Sequence, residues 1–291
     1  MAPRITPRRA ALGVLALPVW FIGISAWSFH AAGTLRIEYL GGDARLYTEA
    51  AARWLAGADA WQLGASGPYH FAALPTTLFV FAPFTLLPPG AAALIWFALS
   101  VMAAHFIVRR LGLPLWWMAF PPFVSGIWAA NPDIVMLALL LGPARAVAPL
   151  VKVYAAIPLL GERRWRSLVA SGALGLVTVA LAPGLWLEYL RNATAIAGRL
   201  YAEAGGGLSA WGHPLLLVAA VLGLVVLARR DVRAAGWMTV PAIWPAAGFH
   251  YNTLVLPARP PTWFAALLAV PMPGLAPLAI VAYALLGNRH S

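Results

Sequence analysis

Two charged residues in otherwise apolar surroundings are the first candidates for chemistry. Asp43 precedes a segment with helical spacing, where its carboxylate can cap the helix N-terminus or act as a general base toward a sugar or lipid hydroxyl. Lys152 is the only lysine and lies inside an apolar segment, where an ammonium group needs a partner. It can be a lysine snorkelling near a helix end or a cation that binds phosphate. Together they predict proton abstraction beside an anionic group.

Other polar residues interrupt the apolar segments. Asn131 and Asp133 flank Pro132, and this triplet is typical of a turn as well as of a binding site. His250 and Tyr251 interrupt the C-terminal third of the chain. For such a histidine, a hydrogen bond to a neighbouring helix is the alternative to a ligand contact.

Two further histidines are candidates for the same site. His105 precedes Arg109 by four residues, so both can project from one helix face. Tyr69 and His70 close the first polar segment, where a tyrosine can also be an interfacial anchor.

The composition determines what kind of protein positions these residues. The 291 residues are 62% hydrophobic and 10% charged, with a mean hydropathy of +0.79. Soluble domains are about 45–50% apolar and about 25% charged, and disordered chains are polar. The composition therefore excludes both and predicts an all-α, polytopic integral membrane protein. Its bias toward Ala, Arg, Gly and Pro suggests a GC-rich bacterial genome. We therefore expect the protein to lie in a bacterial cytoplasmic membrane.

Charge and motifs exclude several functions. The net charge of +11 comes from arginines in short clusters between apolar runs, which is the pattern of cytoplasmic loops and not of nucleic-acid binding. Without cysteine there is no disulfide and no thiolate metal site. No phosphate-binding glycine loop, HExxH motif or serine elbow occurs. The sequence calls for no cofactor and no metal site, and leaves a divalent cation open.

The apolar segments predict nine to eleven membrane segments in one domain, 1–291, around an internal cavity. Ala10–Phe29 follows three arginines, which places the N-terminus in the cytoplasm; a cleaved signal peptide is the alternative. Ile134–Leu141 and Ala146–Leu160 are too short for full spans and are interpreted as half-helices or as a tightly packed pair. Prolines inside apolar segments free backbone groups from their helical hydrogen bonds. Such breaks are tolerated at membrane depth only where protein or a wet cavity provides other hydrogen-bond partners.

Two polar segments are interpreted as outer loops, 31–70 and 188–212. The first carries an interfacial amphipathic helix, Ala44–Ala56, with Leu46, Ala50 and Trp54 on one face. Simple alternation of spans puts Arg109–Arg110 outside, against the charge rule. Either a neighbouring segment is re-entrant, or these arginines face an anionic ligand.

A resemblance adds to this interpretation. Gly42–Asp43–x–x–x–Tyr47–x–x–Ala50–Ala51–x–x–x–Leu55–x–Gly57 resembles the first outer loop of the membrane-embedded C-type glycosyltransferases, above all the bacterial α-mannosyltransferases that use polyprenyl-phosphate mannose. Lys152–Val153–Tyr154–x–x–Ile157–Pro158 and Phe249–His250–Tyr251 are similar to later elements of that family. The chain departs from it at Ala130–Asn131–Pro132–Asp133, where the family has Gly-Gln-x-Asn.

The resemblance implies inverting transfer of a sugar from a polyprenyl-phosphate donor to a hydroxyl of a lipid or glycan acceptor, with membrane lipids as further partners. Asp43 would be the base. The implied donor-phosphate ligands are Lys152, Arg45, Arg109 and Arg110, and the implied substrate ligands are Tyr47, Tyr69, His70, His105, Asn131, Asp133, His250 and Tyr251. A flippase for lipid-linked glycans and a catalytically inactive membrane relative are the alternatives. We expect Asp43, Lys152, Arg109 and His250 to line one outward-facing cavity.

Overall fold

The computed structural model describes residues 7–32, 39–61, 70–204, 207–245 and 247–286. Within these ranges the chain is helical, and a single isolated bridge between Gly207 and Ala247 is its only β-type pairing. The prediction of an all-α fold is therefore confirmed. Tyr69 and parts of the two predicted outer loops, 33–38, 62–69 and 205–206, lie outside the described residues.

The described residues form fourteen α-helices, several of them very short. They are α1 (Pro7–Ala32), α2 (Gly42–Leu55), α3 (Pro75–Phe81), α4 (Pro89–Arg110), α5 (Pro121–Trp128), α6 (Pro132–Leu141), α7 (Ala148–Val151), α8 (Ala156–Gly161), α9 (Trp165–Leu181), α10 (Pro183–Ala204), α11 (Pro214–Arg230), α12 (Val232–Ile243), α13 (Thr262–Leu268) and α14 (Leu275–Leu286). Stretches of 3₁₀ helix occupy Ala82–Leu86, Leu115–Ala119, Val153–Ala155 and Phe249–Ala258.

Proline explains why so many helices begin where they do. Pro75, Pro121, Pro132 and Pro214 stand in the first turns of α3, α5, α6 and α11. A proline fits there because the first-turn N–H groups have no helical partner. The same residue type interrupts the apolar segments and so divides them into short pieces.

The two segments predicted to be half-helices or a tightly packed pair are short helices, as expected, and how far they enter a membrane stays a prediction. The first is α6, with ten residues, and the second apolar segment is divided into α7, the 3₁₀ turn Val153–Ala155 and α8. α5 and α6 meet at a bend of 119°, and α9 and α10 at a bend of 104°. The first bend places Asn131 and Asp133 between two apolar helices.

The length and composition of the described helices do not determine how many segments cross a membrane. The number of nine to eleven therefore stays a prediction. Gly90–Arg110 is long and apolar enough to cross a membrane by itself. Counting each bent pair as one crossing raises this number to three. Shorter apolar helices occupy Ala16–Ala31, Pro75–Leu86 and Leu275–Leu286.

Two groups of buried apolar side chains hold the helices together. The larger group joins α5 and α6 to α12–α14 and includes Phe123, Met136 and Phe264. The smaller group surrounds α2, where the rings of Phe81 and Trp96 stack with centroids 4.4 Å apart. Burial of such aromatic side chains is the main stabilising contribution at each site.

The amphipathic helix of the first polar segment is confirmed as α2, within two residues of the expected bounds. Its buried face agrees with the predicted one in part. Ala50 is buried as expected, and so are Ala44, Tyr47 and Ala51, whereas Leu46 and Trp54 lie at the margin. The face is broader than expected because α2 packs against α3, the 3₁₀ stretch Ala82–Leu86 and α4 at once.

The chain returns on itself between α2 and α4. Both Ala82–Leu86 and the first turns of α4 pack against α2, and a Cβ added to Gly41 would lie 3.0 Å from the Cβ of Ala93. The segment formed by α3 and Ala82–Leu86 therefore begins and finishes at the same end of the molecule, beside α2. α4 has 22 residues, so that Arg109 lies about 24 Å along the helix axis from Ala93.

Three turns meet at the opposite end of the molecule. Arg233 in the first turns of α12 donates to Oε1 of Glu162 (3.1 Å) after α8 and to the carbonyl of Pro257 (3.1 Å). Arg230, the last residue of α11, donates to the carbonyl of Ala284 in α14 (2.7 Å). α8 and α12 connect this end to the end at which α2 begins.

Candidate functional site

A cavity of about 520 Å³ lies where α2, α10 and several helix breaks meet. This volume is within the range of small-molecule sites, about 300–1,000 Å³. Its polar lining comprises Asp43, Tyr47, His70, Thr77, Asn131, Lys152, Tyr154, Tyr189, His250 and Tyr251. Its apolar lining includes Leu46, Leu74, Val153, Ile196, Trp244 and Pro245.

Asp43 is held by the turn between α5 and α6. Its Oδ2 accepts a hydrogen bond from Nδ2 of Asn131, and its backbone N–H donates to the carbonyl of Ala129 (3.0 Å). The helix cap is Gly41, in left-handed conformation (φ 69°), and Asp43 is the second residue of α2. The interpretation of Asp43 as N-cap is therefore wrong, because its carboxylate binds another segment of the chain.

The α5–α6 turn is both a helix cap and a cavity wall. Oδ1 of Asn131 accepts from the N–H of Asp133 (2.9 Å) and so caps α6, which confirms the turn interpretation. Its Nδ2 binds Asp43, so that both ends of one amide are fixed. Ala130, just before it, adopts a left-handed conformation (φ 49°).

Asp133 lies behind the cavity wall, with 1% of its side chain exposed. Its Oδ1 is 3.8 Å from Nζ of Lys152 and accepts from the hydroxyl of Tyr154. Its Oδ2 is 2.9 Å from Nε2 of His250. A buried carboxylate is tolerated only with partners of this kind. Asp133 thus fixes the positions of two groups that line the cavity.

Lys152 lies in extended backbone (φ −147°) between α7 and Val153–Ala155. Its Nζ binds the hydroxyl of Tyr47 and lies 4.9 Å from the centroid of that ring. Its side chain is 11% exposed. The snorkelling interpretation fails, because the ammonium group is directed to the cavity and not to a helix end.

Glycines make room for His250. A Cβ on Gly248 would lie 2.7 Å from Cε1 of the ring, and one on Gly126 would lie 3.1 Å from Cβ of His250. The 3₁₀ stretch Phe249–Ala258 begins here and also presents Tyr251. The ring centroids of His250 and Tyr251 are 4.9 Å apart.

Three predicted site residues are far from the cavity. His105, Arg109 and Arg110 are exposed on α4, directed away from the end that contacts α2. The prediction that they bind substrate or donor phosphate is corrected, because α3 and Ala82–Leu86 leave and return at the same end of the molecule and α4 runs from that end to the opposite one. Arg45 is partly buried in the first turn of α2 and does not line the cavity.

Three aromatic residues at the site, Tyr154, Tyr189 and Trp244, were not predicted from the sequence. Tyr154 binds Asp133, and its ring centroid is 5.2 Å from that of Trp244. Tyr189 lines the cavity from α10, within the predicted second outer loop, which is helical through Ala204. The position of Tyr154 two residues after the only lysine was the available signal; nothing local marked the other two.

The described residues contain no group of three or more His, Asp or Glu side chains that could hold a metal ion. The arrangement they do form is a carboxylate held by an amide, a lysine ammonium and a histidine, all facing one cavity with an apolar wall. This combination can bind an amphiphile with an anionic group and take a proton from a hydroxyl.

No family model, curated protein or solved structure matches this chain. Any function therefore has to be argued from the geometry of Asp43, Lys152 and the residues that hold them.

Proposed function

We propose that this chain is a multi-pass membrane glycosyltransferase that transfers a sugar, with inversion, from a polyprenyl-phosphate donor to a hydroxyl at the outer face of a bacterial cytoplasmic membrane. The observation that carries the proposal is the convergence of Asp43 and Lys152 on one cavity. They come from distant parts of the sequence, and each is oriented by a separate hydrogen-bonded partner.

The chemistry needs one base and one stabilised leaving group. Asn131 binds Oδ2 of Asp43, and Oδ1 takes the proton of the acceptor hydroxyl. The acceptor oxygen attacks C1 of the sugar as the bond from C1 to the phosphate oxygen breaks. The electron pair leaves with the polyprenyl phosphate, whose new negative charge is stabilised by Lys152. A fixed cation in a dry site is effective because it needs no reorganisation.

The apolar wall fits the lipid part of such a donor. Leu46, Ile196 and Trp244 line the same cavity as the charged groups. An amphiphile can place its phosphate near Lys152 and its chain along this wall. The aromatic rings of Tyr154 and Tyr251 provide a surface on which a sugar ring can stack.

The distribution of charge supports the membrane part of the proposal. The arginine-rich turns after α8 and α11 lie at the end opposite to the cavity, and α4 ends in Arg109–Arg110 away from the cavity. With the cavity outside, these arginines are inside, as the charge rule requires. α4 is about 33 Å long, close to the hydrocarbon thickness of about 30 Å.

The test is Asp43→Asn in membranes supplied with a radiolabelled polyprenyl-phosphate sugar. We expect transfer to fall by at least about 100-fold, which is the range for loss of a general base. Glu49→Gln is the matched control, because Glu49 is exposed on the same helix and pairs with Arg53 (3.1 Å).

Full transfer by Asp43→Asn would remove Asp43 as the base. Movement of the labelled lipid across the membrane without transfer would instead favour a flippase. Absence of transfer by the wild-type chain with every acceptor would favour an inactive relative.

A further inference from the structure

The end of the molecule opposite to the cavity carries a dense group of exposed arginines. We call it the arginine face: Arg163, Arg164, Arg166, Arg229, Arg230, Arg233 and Arg259. They come from three turns, after α8, after α11 and after the 3₁₀ stretch Phe249–Ala258. Arg233 ties these turns together through its bonds to Glu162 and to the carbonyl of Pro257.

The two carboxylates on this face are already occupied. Glu162 accepts from Arg233 (3.1 Å), Arg164 (3.3 Å) and the indole of Trp237 (3.0 Å). Asp231 caps α12 through the N–H of Ala234 (2.9 Å). Among the described residues no acidic side chain lies within ion-pair distance of the remaining arginines. The face therefore carries a large net positive charge.

Backbone conformation indicates that two of these arginines are not there for stability. Arg163 (φ 56°) and Arg259 (φ 53°) adopt the left-handed conformation at the ends of helical segments. Glycine is strongly preferred at such positions, because an L side chain is strained there. The N–H groups of Arg163 and Arg164 bind the carbonyls of Leu160 and Leu159, as in a glycine-terminated helix.

The position of the arginine face next to the exposed apolar part of α9 indicates which kind of partner it binds. α9 starts at Trp165, within the face, and continues with outward-facing apolar side chains such as Val169 and Leu176, 73% and 69% exposed. In the proposed orientation these side chains contact lipid tails, so that the arginines lie where the tails meet the headgroups. Guanidinium groups bind phosphate with paired hydrogen bonds.

We propose that the arginine face binds the phosphate groups of anionic phospholipids in the cytoplasmic leaflet. This inference rests on the membrane embedding of the proposed function and not on the transferase chemistry. It explains why arginine occupies two backbone positions that suit glycine: the charges bind lipid at the expense of local backbone strain.

The test uses the full chain in nonionic detergent, titrated with fluorescent phosphatidylglycerol or phosphatidylcholine. The key variant is Arg163→Gly with Arg259→Gly. We expect its Tm without lipid to rise by about 2 °C, because the strain is relieved. Its affinity for phosphatidylglycerol should fall by roughly 30-fold, the effect of two interfacial arginines.

Three controls accompany this variant, and the first separates the effect of charge from that of the backbone. Arg163→Gln with Arg259→Gln should lose the same affinity without the rise in Tm. Arg191→Gln removes an exposed arginine from α10 and should leave lipid binding unchanged. Asp43→Asn should also bind phosphatidylglycerol fully, so that failure of the transfer assay and failure of lipid binding remain distinguishable.

Three outcomes would overturn the proposal. The first is equal affinity for phosphatidylcholine and phosphatidylglycerol in the wild-type chain. The second is unchanged phosphatidylglycerol affinity in both double variants. The third is full displacement of phosphatidylglycerol by millimolar inorganic phosphate or by an RNA oligonucleotide, which would assign the face to a free anion or to nucleic acid.

Discussion

The cavity and the arginine face differ in the number of their charged groups and in how these groups are buried and paired. The cavity and its wall have few ionic groups, and each is hydrogen-bonded to a named partner: Asp43 to Asn131, Lys152 to Tyr47, and Asp133 to Tyr154. The arginine face has many charges, and most of them are exposed. A buried charge is expensive without a partner, whereas an exposed charge contributes little. The number of charges in a region therefore says little about its energetic importance.

The largest expected effect is that of Lys152→Met. It leaves Asp133 buried without its nearby cation, which destabilises by about 3–5 kcal/mol, or roughly 10 °C in Tm. Thermal unfolding in detergent measures this, with Arg166→Gln on the arginine face as the matched control, expected to change stability by less than about 0.5 kcal/mol. Adding Asp133→Asn to Lys152→Met should recover part of the loss. Equal effects of Lys152→Met and Arg166→Gln would invalidate the comparison.

An intermediate effect is expected where the helices that join the two regions approach most closely. A Cβ on Gly161 would lie 2.9 Å from both the Cα of Gly236 and the carbonyl of Val232, so that Gly161→Ala forces α8 and α12 apart. We expect a loss of about 1–3 kcal/mol in the free energy of unfolding.

Gly172→Ala in α9 is the control for that substitution. Nothing lies within 4 Å of an added Cβ there, and alanine should stabilise the helix by up to about 1 kcal/mol. The same sign for both alanine variants in a thermal unfolding assay would contradict the close contact of α8 with α12.

The smallest expected effect concerns pH. Burial raises the pKa of Glu162, but hydrogen bonds from Trp237, Arg233 and Arg164 outweigh it, and the pKa lies below its ordinary value of 4.5. The stability this provides is present above the unfolded pKa and is lost as the pH falls through the folded pKa. The Tm difference between wild type and Glu162→Gln should be about 2 °C or less at neutral pH and should shrink as the pH falls below 4.5 and through the lowered folded pKa. A difference that grows in acid would refute this.

The sequence allowed prediction of the elements whose signals are local. The helix α2, the half-helices and the proline breaks follow from spacing and from residue type. The convergence of Asp43, Lys152 and His250 was expected from the resemblance, which implies one site for them, and all three line the cavity.

The errors involve long-range packing. Arg109 was expected at the cavity because simple alternation of spans does not reveal a segment that returns. The link from Asn131 to Asp43 joins residues that are far apart in sequence, and no local pattern indicates it. The helical wall containing Tyr189 was taken for a loop because the segment holds several charged residues and three consecutive glycines, Gly205–Gly206–Gly207.

The return of the chain between α2 and α4 also determines the parity of the whole topology. If the chain is embedded as proposed, a segment that enters and leaves on one side does not count as a crossing, so that α4 runs from the cavity side to the opposite side. The basic turns that follow α4, α8 and α11 then share one compartment. Ala284, beside Arg230, brings the last described helix to that compartment too.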